Sequence, residues 1–130
     1  MRNKMQIVVA VIFLGSVLSS AAVAMESLQS LLTECYATDK PDGSPYCVGR
    51  VTGVFRMMLF NGLALRHGEG TKLLSACVSD AYPSTEDQLK VFLNWANKHP
   101  ENWSNKNPEY SELSDVEGII RAMREAWPCR

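Results

Sequence analysis

The chain has 130 residues, with 13 lysines and arginines against 14 aspartates and glutamates and a formal net charge of −1. One domain is the expectation at this length. The mixed charge lacks the basic stripe of a nucleic-acid binder, and no basic amphipathic helix suggests stable anchoring on a membrane.

The first stretch carries the parts of a secretory signal. Arg2 and Lys4 make a positive start, Ile7 to Leu18 is an apolar run broken only by Gly15 and Ser16, and Ala22-Val23-Ala24 is a small-x-small cleavage site. The apolar run is shorter than the about 20 residues a spanning helix needs. Residues 1–24 are therefore expected to be removed, leaving 25–130 as one helical domain in an exported setting outside the cytosol. Loss of Arg2 and Lys4 turns that domain mildly acidic.

The first expected helix is Glu26–Tyr36, with Leu28, Leu31, Leu32 and Cys35 on one face. It ends in the turn-rich run Thr38–Pro45. The second is Tyr46–Arg66, whose wide stripe is Cys47, Val51, Val54, Phe55, Met58, Leu59, Gly62 and Leu65. Gly49 and Gly53 on its flank suggest close approach of a neighbouring helix. The sequence His67-Gly68-Glu69-Gly70 supplies a left-handed cap, and a short turn is expected near Lys72–Cys77.

Pro83-Ser84-Thr85-Glu86-Asp87 announces the third helix, with Ser84 or Thr85 as cap and acids in the first turn. Leu89, Phe92, Leu93 and Ala96 form its stripe, leaving Trp95 outside. It stops at His99-Pro100, because the residue before proline leaves helical space. Residues 101–106 read as a polar loop carrying Trp103. Asn107-Pro108 offers one start for the last helix, and the capping box Ser114-x-x-Glu117 offers a competing one. Its expected stripe is Leu113, Val116, Ile120, Met123 and Trp127. No run shows strand periodicity. The fold expected is all-α, a compact bundle of four to five helices.

The four cysteines, Cys35, Cys47, Cys77 and Cys129, all follow the signal, so two disulfides are expected in an oxidising compartment. An antiparallel hairpin would bring Cys35 to Cys47, which leaves Cys77 for Cys129. On the loop-entropy model these closures contribute about 3 and 4 kcal/mol. The other two pairings stay open at this point.

Chemistry is sparse. His99 at a helix end suits the dipole there, as a cap more readily than as a catalyst. His67 and Glu69 could be imagined as metal ligands, but no further ligand cluster accompanies them. No Cys-x-x-Cys, phosphate loop, G-x-S-x-G or H-E-x-x-H is present, and no cofactor motif is recognisable. Asn102-Trp103-Ser104 fits a glycosylation sequon, a chance match in a chain with a bacterial-type signal. Trp95, Trp103, His99 and Tyr110 stand around one polar loop, and exposed aromatics are good anchors for a protein partner. A binding protein is favoured over an enzyme.

The run Cys47-Val48-Gly49-Arg50-Val51-Thr52-Gly53, the later Cys77, Gln88-Leu89 leading to His99-Pro100-Glu101, and the ending Ala126-Trp127-Pro128-Cys129 resemble the Rap/Tai family of type VI secretion amidase immunity proteins. Arg50 stands where that pattern usually carries an aromatic residue. The resemblance implies a helical periplasmic protein, often a homodimer, that binds a peptidoglycan amidase delivered by neighbouring cells and blocks its active site. It implies no catalytic residue, metal or cofactor of its own. The reading from a different class is a periplasmic stress chaperone or structural adaptor, which would carry titratable groups along a dimer seam.

Overall fold

The computed structural model describes residues 26–37, 43–79, 81–104 and 113–130. The expected signal 1–24 and the alternative helix start at Asn107-Pro108 lie outside the described residues. Four α-helices follow one another: α1 is Leu28–Tyr36, α2 is Pro45–Arg66, α3 is Thr85–Lys98 and α4 is Asp115–Ala126. Short 3₁₀ turns occupy Lys72–Leu74 and Pro100–Asn102. Among the described residues there is no strand, only an isolated bridge between Ser27 and Ser114. The all-α expectation holds.

Each α-helix opens on a serine. The hydroxyls of Ser27, Ser44, Ser84 and Ser114 accept from the backbone N–H of Ser30, Cys47, Asp87 and Glu117 at 3.1–3.2 Å. Each cap satisfies one of the donors a helix start leaves without an intrahelical partner. At Ser84 the box is complete, because Asp87 Oδ2 also accepts from the Ser84 backbone N–H at 3.2 Å. Pro45 takes the first helical position of α2, where a missing N–H does no harm. Gly68 follows the end of α2 at φ +80°, the conformation that favours glycine.

Leu28, Leu31 and Leu32 of α1 meet Val51, Phe55 and Met58 of α2, Phe92 and Ala96 of α3, and Ile119 and Met123 of α4 in a single core. Gly62 and Gly118 let neighbouring segments come close, and neither is on the flank the sequence pattern suggested. A Cβ at Gly49 or Gly53 would meet nothing within 4 Å, whereas one at Gly62 would lie 2.3 Å from the Ala76 carbonyl oxygen. One at Gly118 would lie 2.5 Å from Leu28 Cδ1. Gly62 thus lets an extended strap, residues 75–79, cross α2, with Ala76 N–H donating to the Met58 carbonyl at 3.1 Å.

The buried stripe of α4 also differs from the expected one. Gly118, Ile119, Ala122 and Met123 are buried, while Val116, Ile120 and Trp127 sit at the margin of the core. The stripe is displaced because Asp115, the first helical residue, points inward. It is wholly buried, and its carboxylate accepts from Arg50 Nε and, at 3.2 Å, from Arg50 Nη2. Nearby, Leu28 N–H donates to the Leu113 carbonyl and Asp115 N–H to the Glu26 carbonyl, each at 2.9 Å. The start of the domain is thereby stitched to the start of α4.

Two disulfides staple the bundle. Cys35 is joined to Cys47 across the α1–α2 turn, and Cys77 to Cys129, fastening the strap to the C-terminus. Beside the second bridge, Cys77 N–H donates to the Trp127 carbonyl at 3.0 Å, and the Trp127 ring packs on Phe55 with centroids 4.9 Å apart.

Candidate functional site

No cysteine carries a free thiol. Among the described residues no three His, Cys, Asp or Glu side chains stand close enough to share a metal, so His67 and Glu69 remain without company. What the domain offers a partner is surface, and two surfaces stand out.

The first is a polar cleft at the end of α3. His99 closes that helix, its backbone N–H donating to the Trp95 and Ala96 carbonyls. Its ring lies between two carboxylates, Nδ1 3.0 Å from Glu101 Oε1 and Nε2 3.4 Å from Glu125 Oε2. The Glu101 carboxyl is held below the usual carboxylate range by its own backbone N–H first and by His99 second. The Trp95 ring lies 5.4 Å from the imidazole, and Arg121 and Arg124 of α4 complete the walls of a cleft of about 440 Å³.

Of the four expected contact residues, three are described, and Trp103 does not share the cleft with Trp95 and His99. Trp95 shares the cleft with His99 but is only 5 % exposed, because α4 packs along the side of α3 that the sequence pattern left outside. It is a core residue with an edge in the cleft, not a protruding anchor. Trp103 turns the other way: its indole N–H donates to the Ala96 carbonyl at 2.8 Å, and its ring borders a shallow groove with Gln29, Leu32, Thr33 and Tyr36 of α1. Tyr110 lies outside the described residues. Asn102 of the sequon is buried at 7 % exposure, out of reach of a bulky sugar.

The second surface was not anticipated. On the outer side of α2, Met57, Phe60 and Leu63 are exposed, Phe60 to 73 %. Phe60 and Leu63, with Val78 of the strap and Tyr82, wall a groove of about 400 Å³ floored by Gly62 and Ala76. Arg56 and Arg66 stand at its ends on α2. The signal was present in the sequence: 57, 60 and 63 fall three apart, so α2 has a second apolar stripe beside the one that faces the core.

The family model for Rap1a immunity proteins matches residues 27–129, from the first cap to the last disulfide. The chain belongs to the Rap1a immunity protein family. No curated protein and no solved structure matches the chain. As a Rap1a immunity protein it has the role of neutralising an effector by binding it. The two disulfides and the stitched N-terminal segment give such a protein a rigid frame, and the cleft and the groove are the surfaces on that frame with shape and chemistry for recognition.

Proposed function

We propose that this protein resides in the periplasm and binds a type VI-delivered peptidoglycan amidase there, blocking its active site. The observation that carries the reading is the immunity family match over a domain whose cysteine, His99-Pro100-Glu101 and Trp127-Pro128-Cys129 motifs resemble the amidase-directed members. Two disulfides in so small a domain suit an oxidising compartment, and the signal-like residues 1–24 account for how the chain reaches it. The protein acts by occupying a partner and turns over no substrate. Following the resemblance, it works as a homodimer.

The test is direct. Residues 25–130, purified oxidised, are mixed with a panel of purified Cys–His peptidoglycan amidases of the type VI class, and muropeptide release is followed. One enzyme should be inhibited at near-equimolar ratio and co-elute with the protein. If no member of the panel is inhibited, the amidase reading falls. In cells, a version lacking residues 1–24 should fail to protect against the same enzyme delivered to the periplasm; protection from the cytosol would overturn the location.

A further inference from the structure

We infer that the groove between α2 and the strap seats an apolar segment of the partner protein that is flanked by carboxylates. The inference deepens the reading that the chain works by binding an effector, and it names the face and the chemistry of what that face accepts.

Exposed large apolar side chains scattered singly need no explanation, but a contiguous set walling a concavity marks a binding surface. Here Phe60 at 73 %, Leu63 at 56 % and Tyr82 at 58 % exposure border one groove. The groove is firm. Its floor is fixed by the Ala76 N–H to Met58 carbonyl bond at 3.1 Å and by the disulfide from Cys77, and Tyr82 rests on buried Phe55 with centroids 6.1 Å apart. A rigid site loses little freedom when a partner docks.

The charge decides the occupant. Arg56 and Arg66 lie at the two ends of the apolar stretch, about 15 Å apart on helical rise. Arg66 Nη2 donates to the Val78 carbonyl at 3.3 Å, which places its guanidinium at the strap side of the groove. Among the described residues neither arginine pairs with a carboxylate, and no carboxylate lines the groove. In a mildly acidic domain this is a cationic frame around an apolar trough. A second copy of this chain fits it poorly. Two-fold pairing of α2 about the stretch between Phe60 and Leu63 would set Arg56 of each copy against Arg66 of the other. A partner segment with an apolar middle and an Asp or Glu at each end fills the trough and meets both guanidinium groups. The homodimer seam then lies on another face.

The experiment uses the oxidised protein and the amidase it inhibits in the assay above. Phe60→Ala with Leu63→Ala should weaken binding by more than about 30-fold, the loss typical of central apolar anchors. Arg56→Glu should weaken it by about 10-fold at low salt, with the difference shrinking at 0.5 M salt. Both variants alter exposed side chains, so thermal melts should match wild type and light scattering should return the wild-type oligomeric state. Wild-type affinity in the double variant overturns the groove. Tighter binding by Arg56→Glu overturns the acidic partner. A double variant that becomes monomeric where wild type is dimeric shows that a second copy occupies the groove, and overturns the inference too. Failure of wild type to inhibit any amidase defeats the functional reading instead.

Discussion

Arg50→Met should destabilise the domain more than the double replacement of Arg50 and Asp115. The Asp115 side chain has no solvent exposure, while that of Arg50 is 31 % exposed. Among the described residues, removing the arginine leaves the carboxylate with the Val116 N–H alone, donating at 2.7 Å, as compensation. Breaking one partner of a buried pair costs about 3–5 kcal/mol. Because the Arg50 side opens to solvent, water can reach the vacated site, and the lower end, about 2–3 kcal/mol, applies. Asp115→Ala frees Arg50 into solvent but removes a first-turn acid and its hydrogen bond to Val116, about 1–2 kcal/mol. The double variant Arg50→Met/Asp115→Ala leaves no buried charge and should cost about 1–2 kcal/mol, well short of additive. Urea unfolding followed by circular dichroism, with all three variants oxidised, measures the cycle. Additive losses, or an Arg50→Met loss below about 0.5 kcal/mol, would show that the pair is not coupled and that the burial of Asp115 is not what Arg50 offsets. The same pair accounts for the departure at position 50: an inward acid at the start of α4 calls for a guanidinium where an aromatic would otherwise stand.

Other outcomes follow from single contacts. Gly62→Ala puts a methyl 2.3 Å from the Ala76 carbonyl oxygen, a backbone atom that cannot swing aside; it should cost about 1–3 kcal/mol and loosen the strap, seen as faster amide exchange at Ala76 and Cys77. Replacing Cys77 and Cys129 by serine opens a closure of 52 residues, and thermal unfolding should report a loss of about 4 kcal/mol against about 3 for the Cys35–Cys47 pair, whose separation is 12; a larger loss for the shorter loop would contradict the ordering. Ser84→Ala should lower helix stability at neutral pH by about 1 kcal/mol. Its acid dependence should change as well. Asp87 is held below the usual carboxylate range by the Ser84 hydroxyl and backbone N–H, so its contribution is present above that range and lost as pH falls through the lowered value. The variant should therefore show a shallower loss of stability on acidification, measured by melts between pH 5 and pH 2, than wild type.

Much of this fold could be read from the chain, and the failures have physical causes. The helices were legible because period-3.6 apolar spacing and serine or proline punctuation coincide at their starts. The Ser114 start of α4 competed with Asn107-Pro108, and it is the Ser114 hydroxyl, accepting from Glu117 N–H, that caps the described helix. The displacement of the α4 stripe was not legible. A buried aspartate looks polar in sequence, and only its distant partner, 65 positions earlier, makes it an inward residue. The burial of Trp95 is hard to read for a related reason: α3 is covered on two sides, by α2 and by α4, so a one-stripe rule leaves a core tryptophan outside. Gly49 and Gly53 looked like a packing seam by spacing alone, while Gly62, with no small neighbour in register, carries the close approach.

The position of the second disulfide links these structural points to function. Cys77 lines the apolar groove, and Cys129 lines the His99 cleft. One covalent bond therefore ties a wall residue of each surface to the other, through a strap that α2 admits only because residue 62 has no side chain. The strap belongs to no helix or sheet; among the described residues, Ala76 and Cys77 N–H tie its backbone to α2 and to the end of α4, and Arg66 reaches the Val78 carbonyl. Such a segment is the kind that opens locally at low free-energy cost. The disulfide, by closing the long loop, removes that freedom. The shapes of both the groove and the cleft thus depend on oxidation. That dependence fits the proposed meeting with an effector outside the reducing cytosol, and on the proposed groove it makes the staple part of the binding surface as well as part of the stability.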